Sequence, residues 1–145
     1  MKKNIFYIFL PLTLGALESL ILNFGYFKLI DKPPFSPKAW LFPVVWSILY
    51  LIMGYTYNII RKDNNKLAKI YFWIQLILNL MWSIIFFNLK LYLLSIIIII
   101  ILVMVVVLML LEFIKTNKLS AYLNLPYLLW LLIALYLATG IYILN

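Results

Sequence analysis

The chain has 145 residues, 68% of them hydrophobic and only 11% charged, with a formal charge of +8 from twelve Lys/Arg against four acids. A soluble domain of this size would have to leave much of that apolar surface in water, so the composition points to lipid as the solvent. With no cysteine and no histidine, disulfides, thiolate chemistry, zinc or imidazole sites and His or Cys ligation of a haem iron are excluded, and no metal and no cofactor is expected.

A spanning helix needs roughly 20 apolar residues to cross a hydrocarbon core of ~30 Å. Five segments qualify, and they predict an all-α integral membrane bundle of five transmembrane helices in a single domain, 1–145. The first covers 5–27 and contains Pro11 and Glu18. Lys2 and Lys3 before it resemble the start of a secretory leader. No small-residue cleavage site follows Ile21, however, and Glu18 breaks the apolar run, so a retained helix is expected. The connection Lys28–Lys38 carries Pro33, Pro34 and Pro37, which forbid a continuous helix. The second span covers 39–60, and the polar hinge Arg61–Lys69 follows. The third covers 70–89 and turns through Asn88–Lys90 into the fourth, 91–114, with its unbroken apolar run from Ile96 to Val107. Lys115–Lys118 precede the fifth, 119–144, which Pro126 should bend near its start.

The basic residues fall between the apolar runs and form no single patch, which fits membrane topology and lipid headgroups and not nucleic acid. One side collects Lys2, Lys3, Arg61, Lys62, Lys66, Lys69, Lys115 and Lys118; the other has Lys28, Lys32, Lys38 and Lys90. The positive-inside rule then puts the N-terminus in the cytoplasm. Five spans do not divide into two inverted halves, which argues against a standard alternating-access transporter.

Lipid-facing positions need only be apolar, so polar and aromatic residues on one helical face mark an interior. Trp46, Tyr50, Met53 and Tyr57 fall at i, i+4, i+7 and i+11. Gln75, Asn79, Trp82, Ser83 and Phe86 form a second stripe, and Tyr127, Trp130 and Ala134 a third. Gln75 and Asn79 need partners in hydrocarbon, either as interhelical glue or against a ligand. Trp40, Tyr92, Tyr122 and Tyr142 lie near helix ends, as interfacial belt residues do. Trp46, Trp82 and Trp130 lie further in, where they suit a pocket wall for a flat hydrophobic ligand. Glu18 is the only acid well inside a span; it either pairs with Lys28 or a neighbouring helix's polar group, or is protonated. Two segments, Leu22–Lys28 around Tyr26 and Leu51–Arg61 around Tyr55, fit the pattern proposed for cholesterol contact.

Three stretches together resemble the TspO/MBR family, the tryptophan-rich sensory proteins whose mitochondrial members are translocator proteins. They are Lys32-Pro-Pro-Phe-Ser-Pro-Lys-Ala-Trp-Leu-Phe-Pro-Val-Val-Trp-Ser-Ile-Leu-Tyr-Leu-Ile-Met-Gly54, Gln75-Leu-Ile-Leu-Asn-Leu-Met-Trp-Ser-Ile-Ile-Phe-Phe87, and Leu125-Pro-Tyr-Leu-Leu-Trp130 with Ala134 and Asn145. The resemblance implies a five-helix bundle, with a bacterial cell membrane as its expected location and a pocket covered by the loop between the first two helices. It also implies a homodimer. By position, Tyr26, Trp46, Tyr50, Asn79, Trp82, Ser83, Trp130 and Ala134 would bind ligand. The chain departs from the family pattern at Tyr26 and Phe35, where tryptophan is common, at Lys38, where a proline is common, and at Ala138, where asparagine is common.

The function this implies is binding or sensing of porphyrin-type tetrapyrroles, or of similar flat or sterol-like lipophiles. An alternative is light- and oxygen-dependent porphyrin breakdown, in which the resemblance would make Trp46 and Trp130 the redox-active side chains. The sequence offers no acid–base pair, nucleophile or metal site for an enzyme. A further alternative is transport of a porphyrin- or sterol-like lipophile.

Overall fold

The computed structural model describes residues 2–145, with the side chains of Lys2, Lys3 and Tyr26 outside the described residues. The secondary structure is helical throughout: α1 (Lys2–Ser19), α2 (Phe24–Phe27), α3 (Leu41–Ile60), α4 (Lys66–Ser83), α5 (Tyr92–Thr116), α6 (Lys118–Leu123) and α7 (Leu125–Leu144). A π-helical turn, Ile84–Leu89, extends α4, and α6 with α7 makes one bent rod. The result is a five-helix membrane bundle. Four of its rods are long and apolar enough to span a bilayer, and the first is shorter.

The first span is where the expected boundaries fail. A single helix over 5–27 is expected, but α1 ends at Ser19 and only a short turn, α2, follows. Neither Pro nor Gly stops it. Asn88, on the turn after α4, donates through Nδ2 to the Ile21 carbonyl at 2.8 Å and accepts through Oδ1 from the Asn23 amide at 2.7 Å. A partner remote in sequence thus satisfies backbone groups that a helix would have paired internally. The turn itself closes on Lys90, whose φ of 56° lies in the left-handed region.

Pro126 acts as expected, with a cleaner break than a bend. It occupies the first turn of α7, where its missing N–H costs nothing. Asn124 bridges the gap, donating to the Ser120 carbonyl at 2.8 Å and to Thr56 Oγ1 at 2.9 Å. At the opposite end of α4, Asn65 caps the helix by accepting from the Ala68 amide at 3.2 Å.

Helix α1 packs mainly on α3, α4 on α5, and α5 on α7, while α3 meets α6. The α1–α3 contact depends on Gly54: a Cβ there would lie 1.8 Å from the Ile8 carbonyl oxygen. Between α3 and α4, Tyr57 stacks on Phe72 at 4.3 Å. The connection 28–40 folds back over the end of α7. Asn145 donates to the Asp31 carbonyl at 2.9 Å and Tyr136 donates to the Pro34 carbonyl. Pro33 sits so close to Gly140 that a Cβ there would come within 2.3 Å of the proline ring.

By the up–down connectivity, the N-terminus, the hinge after α3 and the start of α6 share one end of the bundle. Arg61 ties that end together, donating to Asn4 Oδ1 at 2.8 Å and to Asn58 Oδ1 at 3.1 Å. The Pro-containing connection and the turn after α4 share the other end.

Candidate functional site

Helix α1 barely meets α4. Between their C-terminal halves, the N-terminal half of α3 and the connection that follows α2 lies a cavity of about 460 Å³. Its walls carry Trp46, Tyr50, Phe42, Phe27 and Phe87, with Trp40 at the exposed edge and Glu18, Ser19, Ser83 and Lys28 as polar or charged groups.

The wall follows from helix geometry. Phe42, Trp46 and Tyr50 are spaced by four residues on α3 and so share a face. Trp46 lies nearly parallel to Tyr50, with ring centroids 5.3 Å apart and planes 28° apart. Phe27 approaches Phe42 edge-on at 5.4 Å and Phe87 at 5.5 Å. Gly15 clears the space on α1: a Cβ there would come within 2.3 Å of the Tyr50 ring.

Behind this wall runs a buried polar seam. Tyr50 donates to Asn79 Oδ1 at 3.2 Å, Asn79 Nδ2 donates to the Tyr127 hydroxyl oxygen at 2.9 Å, and Tyr127 donates to Gln75 Oε1 at 2.7 Å. Gln75 Nε2 ends the chain on Met53 Sδ at 3.9 Å. Three helices are thereby pinned in register, each polar group answered by another in an environment without water.

The eight residues expected to contact ligand separate into groups. Trp46, Tyr50 and Ser83 line the cavity. Asn79 lies one layer deeper, bonded to Tyr50 and Tyr127. Trp82 is buried against Phe86, stacked at 5.0 Å. Trp130 and Ala134 are buried on α7 and do not line the cavity, though Trp130 meets the lining residue Phe42 edge-on at 5.6 Å. The Trp82 and Trp130 indole N–H groups are buried without a hydrogen-bond partner among the described residues. The Tyr26 side chain lies outside the described residues.

Sequence reasoning passed over Phe42, Phe27 and Phe87 as wall residues. Phe42 was within reach, since it extends the stripe of Trp46 and Tyr50 by one turn. Phe27 and Phe87 were not, because they meet only through the broken end of α1. Of the candidate partners for Glu18, Lys28 lines the same cavity but forms no ion pair with it among the described residues, and Ser83 of α4 lines the cavity too.

Comparison with known proteins fits this arrangement. The profile of the TspO/MBR family matches residues 7–144. The Tryptophan-rich protein TspO of Chlorobaculum tepidum is 36% identical over 125 residues, covering 83% of this chain and 79% of its own. The protein of the same name from Archaeoglobus fulgidus is 39% identical over 119 residues, covering 80% and 77%. The Translocator protein of Bos taurus is 27% identical over 128 residues, covering 83% and 75%. On that match and on its five-helix membrane bundle, the chain belongs to the TspO/MBR family.

Proposed function

We propose that this protein binds porphyrin-type tetrapyrroles, or similarly flat lipophilic ligands, in the cavity between α1, α3 and α4, and acts as a membrane-embedded binding protein or sensor. The observation that carries this reading is the aromatic wall. Trp46 and Tyr50 present nearly parallel rings to a cavity whose volume falls in the usual range for small-molecule sites, roughly 300–1,000 Å³. Flat π-systems are held by such rings through stacking and burial together. Trp46, Tyr50 and Ser83 would touch ligand. Asn79 would act through Tyr50, and Trp130 and Ala134 would support the wall from behind Phe42. With the more basic end in the cytoplasm, the cavity would lie toward the opposite leaflet.

The test is titration of the detergent-solubilised protein with protoporphyrin, followed by tryptophan fluorescence. Saturable quenching that weakens about tenfold in affinity on Trp46→Phe or Tyr50→Ala is expected. Absence of saturable quenching, or identical titrations in the wild type and both variants, would overturn the reading.

A second reading has its own observation. In it Trp46 and Trp130 are the redox-active side chains, and what supports it is that the Trp46 ring, in the cavity lining, has two oxidisable neighbours, with centroids 5.3 Å away at Tyr50 and 6.3 Å away at Tyr127. This favours light- and oxygen-dependent breakdown of a bound porphyrin. Illumination of the loaded protein under oxygen should then give a new absorbing product that Trp46→Phe abolishes. Bleaching no different from free porphyrin rejects it.

A further inference from the structure

Among the described residues lining the cavity only Glu18 is a carboxylic acid and only Lys28 a base. Glu18 is half-buried on α1, deep beside Gly15 and Ser83, whereas Lys28 is exposed at the edge. No described basic side chain lies within ion-pair distance of the Glu18 carboxylate, and the other polar side chains that line the cavity beside it, Ser19 and Ser83, are neutral. A half-buried carboxylate on a membrane helix calls for a countercharge, and a hydroxyl supplies none. The wall of a largely aromatic cavity thus carries a carboxyl group with no described basic partner.

We propose that Glu18 makes the cavity selective for flat aromatic ligands that carry a protonated nitrogen. The ring system would lie against Trp46 and Tyr50 while its N–H⁺ donates to the carboxylate. Tyr50 belongs to both parts of this site: its ring forms the wall, and it packs against Gly15 of the helix that carries Glu18. Lys28 opposes the cation, but it stands in water-accessible surroundings where its field is screened, while the half-buried carboxylate is screened less. A row of aromatic rings suits a fused ring cation better than an alkyl amine, because rings add stacking and cation–π attraction to the charge pair. This inference rests on the cavity being the site of flat ligands; it specifies which of them bind best.

The experiment uses the full chain in a non-ionic detergent at mildly alkaline pH. The probes are 9-aminoacridine, a flat cation under those conditions, and acridine, its neutral counterpart. Each is titrated by fluorescence against wild type, Glu18→Gln and Lys28→Met, with protoporphyrin run in parallel. The wild type should bind 9-aminoacridine about tenfold or more tightly than acridine. Glu18→Gln should bring the two affinities together, and Lys28→Met should widen the wild-type ratio. Equal affinities in the wild type, or a preference that survives Glu18→Gln, would overturn the inference. If Glu18→Gln does not purify as folded protein, an unchanged ratio in Lys28→Met would do so. Protoporphyrin binding without cation preference leaves the porphyrin reading standing and removes this one; a Glu18-dependent preference without protoporphyrin binding does the reverse.

Discussion

The Tyr50 hydroxyl donates to the Asn79 side-chain oxygen at 3.2 Å, so a residue of the cavity wall is fixed from behind by a residue of the core. Asn79 has no exposed surface, and its amide is engaged by Tyr50 on one side and Tyr127 on the other. The aromatic wall is therefore preorganised by a polar seam and does not have to order itself around a ligand. Preorganisation of this kind raises affinity by removing the entropy cost of immobilising side chains on binding.

Replacing Asn79 with Leu should therefore act on stability and binding together. The change strands the Tyr50 hydroxyl in an apolar layer and removes one partner of Tyr127. Interhelical hydrogen bonds in membranes contribute modestly, so a loss of about 1–3 kcal/mol is expected. The midpoint of unfolding in a mixed-detergent titration measures it. Tyr127→Phe, which breaks the seam at both Asn79 and Gln75, should cost a similar amount. A midpoint unchanged in both variants would show that the seam contributes nothing.

How far the sequence could be read follows from which forces act locally. Stripes at helical spacing identified the inward faces: Tyr50, Met53 and Tyr57 are buried on α3, as are Gln75, Asn79, Trp82, Ser83 and Phe86 along α4 and its extension. Ile48, Leu51 and Tyr55, off that face, are exposed to the bilayer side. A stripe reports inside against outside and nothing about where two helices spread apart. By stripe alone Trp46 and Trp130 are equivalent, and only the splayed α1–α4 contact puts the first in the cavity lining and leaves the second outside it, against Phe42. The end of α1 was likewise illegible, because Asn88 terminates it from another part of the chain.

Gly54 makes a sharp prediction about the α1–α3 contact. Since a Cβ there would overlap the Ile8 backbone at 1.8 Å, Gly54→Ala must push the two helices apart or shift α1 along α3. Overpacking of this kind costs about 1–3 kcal/mol, and more when the obstructing atom is backbone. Gly25→Ala is the matched control, for its Cβ would meet only Asn23 Oδ1 at 3.7 Å. Thermal melts in detergent should separate the two variants by several degrees. Equal melts would mean that α1 can retreat freely.

The connection 28–40 is fastened to α7 by Asn145 on Asp31, Tyr136 on Pro34 and the close seat of Pro33 on Gly140. Because this connection also carries Lys28, Ala39 and Trp40 of the cavity rim, loosening it should speed ligand exchange. Tyr136→Phe combined with Asn145→Ala is expected to raise amide hydrogen exchange across the loop and to increase protoporphyrin dissociation severalfold, with little change in the melting temperature. A dissociation rate equal to wild type, alongside faster exchange, would uncouple the loop from the site.

Phe42 separates the cavity from Trp130, and the cost of that partition can be measured. The ring lines the cavity and also meets Trp130 edge-on at 5.6 Å, while Trp130 itself does not line the cavity and its indole N–H lies buried without a partner among the described residues. A buried unpaired N–H costs free energy that a ligand acceptor could recover. In the wild type Trp130→Phe should change protoporphyrin affinity less than about threefold, since the two do not meet. Phe42→Leu removes the ring and opens a path to the indole, so in that background Trp130→Phe should weaken binding by about tenfold. The double-mutant cycle reads this directly as a coupling of roughly 1 kcal/mol that appears only when the partition is gone. A large effect of Trp130→Phe with Phe42 in place would mean that ligand reaches α7 already, and that the Phe42 ring swings aside on binding.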